Sequence, residues 1–216
     1  MSDTAATLAH QHQFDDAAQQ YSASTLGMWI FLVTEVMFFG GLFTAYVAYR
    51  TLYPDTFGHA SNYLDLRLGT INTAVLIASS LTMALAIHAA QVGKRSAMIT
   101  LLLATILLGT TFLGIKAVEY AHKFEAGLVP GAGFTYAGPD APQAQLFFSL
   151  YFGMTGLHAA HMIIGIGILA ILVAQARRGR FGPEYYTPVE LSGLYWHFVD
   201  IIWIFLFPLL YLIDRH

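Results

Sequence analysis

Five stretches of this chain are apolar enough and long enough to cross a bilayer, and that limits what it can fold into. The hydrocarbon layer is about 30 Å thick, and a helix needs about 20 predominantly apolar residues to cross it. Runs of that kind cover residues 26–49, 69–91, 97–122, 146–176 and 190–213. In lipid every backbone N–H and C=O must be bonded within the protein, so each run reads as a helix. The expected fold class is all-α: a polytopic membrane protein built as a bundle of five transmembrane helices. Charged residues make up 11% of the chain, against about 25% in soluble domains, which agrees. The fourth run is longer than a crossing requires, so tilt or an extra turn is expected there.

Residues 1–24 read as a polar N-terminal tail and 25–216 as the transmembrane domain. The tail has no apolar h-region, which argues against a cleaved signal peptide. His10, His12, Asp15 and Asp16 within it read as solvated. The connectors are polar and rich in turn residues, notably 53–67, 92–96, 128–143 and 177–188, and they hold six of the seven prolines. Pro208 alone falls inside a span, near its end, where a local kink is expected. Lys94, Arg95, Arg177, Arg178 and Arg180 share the side of the N-terminus, clustered in short loops. Arg50, Arg67, Lys123 and Arg215 share the other. This distribution favours a cytoplasmic N-terminus and a C-terminus on the outer side.

There is no cysteine, so disulfides, iron–sulfur ligation and thiolate metal sites are excluded. The net charge of −3 gives no reason to expect a nucleic-acid partner.

Polar residues inside the spans are the informative ones. At 1.5 Å per residue, Glu35 lies about 14 Å down the first span and Asp200 about 15 Å down the fifth, both near the midplane. His197 stands one turn from Asp200 on the same helix face. Two readings compete for this couple: a structural pair that locks helices together, which is favoured, and a proton relay or metal site. Glu35 has no partner in its own helix and is expected to hold its proton and act as a hydrogen-bond donor. His158 and His161 share a face, but a metal needs further ligands in geometry, so interhelical hydrogen bonding is the preferred use. Glu119 and His122 match half of a di-iron motif, which needs a second copy and two more glutamates. With Lys116 at i−3, Glu119 reads instead as an interfacial ion pair. Asn72, Ser79 and Ser80 give the second span a polar face. Small residues such as Gly153, Gly156, Gly165 and Gly167 point to close helix packing on the fourth span.

Several segments resemble cytochrome c oxidase subunit III. They are FLVTEVMFFGGLFTAY (31–46), INTAVLIASS (71–80), LLGTTFLGIKAVEY (107–120), FFSLYFGMTGLHAAHMIIG (147–165) and LYWHFVDIIWIFLF (194–207). They are collinear and cover nearly the whole chain from Thr25. The chain departs from the mitochondrial pattern by lacking its first two spans, as do five-helix bacterial relatives, quinol oxidase subunits among them. The resemblance implies a non-catalytic subunit of a respiratory haem-copper oxidase in the bacterial cytoplasmic membrane, with no active site of its own. It implies packing against subunit I, association with subunit II, and phospholipids held in a cleft. It also implies support of proton uptake and protection of the catalytic subunit. Haem and copper are then in the partner subunits, and none is bound by this chain. On this reading Glu35 is the buried carboxyl, while Asn72, His158, His161, His197 and Asp200 are interior polar residues. Arg50, Arg177 and Arg178 are candidates for lipid headgroups. The alternatives are an accessory subunit of a quinol oxidase or nitric oxide reductase, an independent proton-coupled transporter, and a membrane metalloenzyme using His158, His161 and His197.

Overall fold

A computed structural model describes residues 13–138 and 140–213; the expectations placed on His10, His12, Pro139 and Arg215 lie outside them. The described chain is helical: α1 (Ala17–Leu52), α2 (Pro54–Ser61), α3 (Leu66–Gln91), α4 (Arg95–Glu125), α5 (Ala141–Arg177) and α6 (Thr187–Tyr211). All but α2 are long and apolar enough to cross a membrane. The five expected spans are therefore present; the first four lie within helices that run further toward the loops at one end or both. The helix of the fifth span, α6, starts earlier than expected, at Thr187, and ends at Tyr211, short of 213.

The helix ends follow from local chemistry. Asp16, read from sequence as part of a solvated tail, is the N-cap of α1, and its carboxylate accepts from Gln19 N at 2.7 Å. Asp65 caps α3 in the same way, accepting from Arg67 N and Leu68 N. Gly93, at φ +71°, supplies the left-handed turn that folds α4 back along α3.

Helix α2 corrects the reading of 53–67 as a plain turn-rich connector. Pro54 sits at its start, where a missing N–H costs nothing. Phe57 holds it down, buried between the rings of Tyr46 and Phe147 at 5.6 and 5.3 Å. Ser61 then ties the short helix to the C-terminal end by donating to Ile213 O at 3.0 Å.

Helices α3, α4, α5 and α6 form a closed ring of neighbours, with α3 meeting α6 to complete it, and α1 lies outside along the seam of α5 and α6. Trp196 of α6 is the wedge at the centre. A Cβ on Gly109 of α4 would stand 2.8 Å from its indole, and one on Gly165 of α5 would stand 2.9 Å away. The indole N–H donates to Ser79 Oγ of α3 at 3.0 Å. One side chain thus meets all three other helices of the ring, and the glycines are what admit it. Pro208 lies within α6, which continues past it to Tyr211.

Candidate functional site

Several polar groups are set into this apolar bundle, and four of them bear on the sequence-predicted residues. The most complete joins α4, α5 and α6. Lys116 Nζ donates to Glu119 Oε2 at 2.9 Å, to Tyr151 Oη at 3.1 Å and to Tyr211 Oη at 2.9 Å. Both tyrosines in turn donate to Glu119 Oε1, at 3.0 and 2.7 Å. An ammonium has three hydrogens and no acceptor, so Lys116 is fully used. Lys116 and Glu119 are 3% and 1% exposed. The ion pair expected at an interface is instead enclosed by protein, with two tyrosines that sequence spacing did not associate with it.

The second group joins α1 to α5. His161 Nε2 lies 3.1 Å from Glu35 Oε2, and its Nδ1 lies 2.9 Å from Leu157 O. A carbonyl only accepts, so Nδ1 carries the proton. The Nε2–Oε2 contact then holds one further proton, on the acid or on the ring. Glu35 therefore has a partner on another helix, which its own helix did not reveal. Tyr195 of α6 donates to His161 O at 2.9 Å and closes the corner. An apolar cleft of about 390 Å³ opens beside the pair, lined by Met28, Phe31, Ile164 and Ile168.

The third group corrects the expected pairing of His197 with Asp200. His197 Nδ1 makes its hydrogen bond to Ser80 Oγ of α3, at 2.8 Å. Ser80 meets the imidazole across the seam between α3 and α6. Asp200 is buried beside Ser80, but neither of its oxygens makes a hydrogen bond of normal geometry. The fourth group is His158 with Asn72. His158 is held between the rings of Phe112 and Trp203, each at 5.3 Å, and neither ring nitrogen has a partner. Asn72 Nδ2 reaches Phe112 O at 3.4 Å, while its Oδ1 is unpaired.

The interior network expected of Asn72, His158, His161, His197 and Asp200 is thus several separate contacts; among the described residues no hydrogen bond joins any two of the five. Nor do three His, Asp or Glu side chains converge among them. Arg50 is in the last turn of α1, Arg177 ends α5 and Arg178 is its C-cap. Sequence reading missed the role of Arg95. Its Nε donates to Ala176 O at 2.7 Å and its Nη2 donates to Arg177 O, capping the carbonyls at the end of α5.

The family profile described as cytochrome c oxidase subunit III matches residues 4–214. This chain belongs to that family. Subunit III relatives occur in oxidases of two kinds. Cytochrome c oxidase subunit 3 of Thermostichus vulcanus is 32% identical over 98% of this chain and 95% of its own length. Quinol oxidase subunit 3 of Bacillus spizizenii is 30% identical over 94% and 95%. Cytochrome c oxidase subunit 3 of Papio hamadryas is 35% identical over 86% of this chain but 67% of its own length. That last relative is the longer one.

Proposed function

We propose that this chain is the non-catalytic, lipid-binding subunit of a respiratory haem-copper oxidase. It packs directly on subunit I and associates with subunit II, and it sustains proton uptake and the integrity of the catalytic subunit during oxygen reduction. It binds no redox cofactor itself; haem and copper reside in its partners, and phospholipids are its own ligands. It lies in the bacterial cytoplasmic membrane with its N-terminus inside.

One observation carries this reading: the polar side chains inside the spans join helices. Lys116 and Glu119 exhaust each other and two tyrosines across three helices, and Glu35 with His161 fastens α1 to the ring. A carboxyl–lysine pair with every ammonium hydrogen committed is suited to cohesion and has no proton to lend a substrate. The cleft beside Glu35 supports the lipid assignment, because its apolar walls suit acyl chains. Arg177 and Arg178, exposed at the end of α5, suit phosphate headgroups at the inner surface.

Removing the chain from the purified oxidase with detergent tests the proposal. Initial oxygen consumption should persist, then decline over successive turnovers, and recover when the chain is restored with phospholipid. Steady turnover without the chain would contradict it.

A proton-coupled transporter would need Glu35 and Asp200, which share a depth, to act in one relay. Glu35 lines the cleft of α1, α5 and α6, whereas Asp200 lines a groove between α3 and α6. Two acids in separate recesses do not suit one relay. In liposomes, the purified chain should carry no pH-driven flux that Glu35→Gln abolishes.

A further inference from the structure

We propose that Glu35 and His161 form a proton-dependent clasp, and that the inner half of α1 swings away at Gly40 and Gly41 when the clasp loses its proton. This deepens the lipid reading of the cleft, on which it rests for the occupant, by assigning what governs entry. His161 Nδ1 gives its hydrogen to Leu157 O, so in a neutral ring Nε2 can only accept. Glu35 Oε2 stands 3.1 Å from that nitrogen. With one proton between them the two atoms attract, whichever holds it. Without it, a carboxylate oxygen faces an imidazole lone pair and the contact is repulsive. The clasp therefore holds below the titration of the pair and is lost as pH rises through it. The other titratable groups around α1 leave that proton to the pair. On α5, His158 stands one turn from His161, closed between the rings of Phe112 and Trp203. On α6, Tyr195 has given its hydroxyl hydrogen to His161 O. Glu190 of α6 lies near Tyr21, about 21 Å toward the inner end of α1. Helix α2, with Asp55 and His59, meets α1 at its outer end, about 26 Å beyond Glu35. No lysine or arginine is among the residues that line the cleft.

The rest of α1 is built to move about one point. Its outer end is fixed: Tyr46 is buried, donates to Leu209 O and packs with the rings of Phe57 and Phe147. The inner half is loosely held. From Ala18 to Phe39 only Leu32 and Phe39 are buried. Between the clasp and the outer anchor lie Gly40 and Gly41, where a Cβ would meet nothing within 4 Å. Small-residue pairs of this kind are recurrent sites of helix kinks. Thr44 Oγ1 donates to Gly40 O at 2.8 Å, a back-bond that favours bending at the same turn. The cleft of about 390 Å³ runs beside the inner half, with Met28, Phe31 and Glu35 on the α1 side and Ile164, Ile168 and Tyr195 opposite. Moving that half outward widens the cleft.

Distances between spin labels test this. The chain has no native cysteine, so nitroxides go on cysteines at exposed positions 22 and 174, near the inner ends of α1 and α5. A second pair at positions 48 and 149 reports the outer ends. The labelled full-length chain is returned to oxidase depleted of it. Distances are read in bilayer nanodiscs from about pH 5 to about pH 10, on either side of the ordinary imidazole value. The 22–174 distance should lengthen by several ångström through a single midpoint while the 48–149 distance stays fixed. Glu35→Gln, whose amide donates to Nε2 at every pH, should hold the short distance throughout. A 22–174 distance independent of pH, or the same lengthening in Glu35→Gln, would overturn the proposal and leave the lipid reading standing. Phospholipid phosphate retained by the detergent-washed complex separates the two readings. It should fall above the midpoint with the unsubstituted chain and not with Glu35→Gln. Phosphate that stays constant while the distance responds would uphold the clasp and overturn the lipid reading of the cleft.

Discussion

Across the seam between α5 and α1, His161 Nε2 stands 3.1 Å from Glu35 Oε2. This contact matters because, among the described residues, α1 meets the bundle mainly along its α5- and α6-facing side and at α2, with most of its length exposed. An interhelical hydrogen bond in lipid contributes about 1 kcal/mol. Glu35→Gln keeps the shape and a donor for Nε2, so it should leave helix association almost unchanged. Glu35→Leu should loosen α1 by about that 1 kcal/mol, and His161→Leu added to it should cost little more. Crosslinking yield between cysteines placed on α1 and α5, in a chain with no native cysteine, reads this directly.

Lys116 and Glu119 should behave as a unit. Leaving one member of a buried ion pair uncompensated costs about 3–5 kcal/mol, so Lys116→Met alone should destabilise severely. Lys116→Met with Glu119→Leu should recover much of the loss. Tyr211→Phe removes both a donor to Glu119 and an acceptor for Lys116 and should cost about 1.5–3 kcal/mol. Unfolding in mixed micelles, followed by helical circular dichroism, gives these differences.

The glycines of the long helices should separate into two kinds. Gly165 and Gly109 face the Trp196 ring at under 3 Å from where a Cβ would sit, while Gly153 and Gly167 meet nothing within 4 Å. Gly165→Val and Gly109→Val should each destabilise the bundle by about 1–3 kcal/mol through overpacking. Gly153→Val should leave the separated chain unaffected. The same unfolding assay distinguishes them.

The five spans were legible because crossing hydrocarbon imposes a length and a composition that nothing else in a sequence mimics. Helix α2 was not. Its segment PDTFGHAS carries the residues of a turn, and its order comes from Phe57 inserting between Tyr46 and Phe147, a contact made far along the chain. The identities of the buried polar residues were also legible, but their partners were not, because i,i+3 spacing sees only one helix. It gave Lys116 with Glu119 correctly and proposed His197 with Asp200 where the imidazole chose Ser80. Depth held the missing signal. His197 and Ser80 lie about 15 and 17 Å from the ends of α6 and α3 on the Arg95 side. Glu35 and His161 each lie near the middle of their helices. Matching depths between antiparallel spans would have paired both couples. The enclosure of Lys116 by Tyr151 and Tyr211 needed the ring order of the helices as well.

We propose that the polar residues of this chain hold membrane helices and neighbouring subunits together while electron transfer takes place in other chains. The most direct test is the reduced-minus-oxidised optical spectrum, with metal analysis, of the gently purified complex and of this chain separated from it. Haem bands and copper are expected in the complex and should stay with the partner subunits on separation. Stoichiometric haem or copper retained by the isolated chain would contradict the claim.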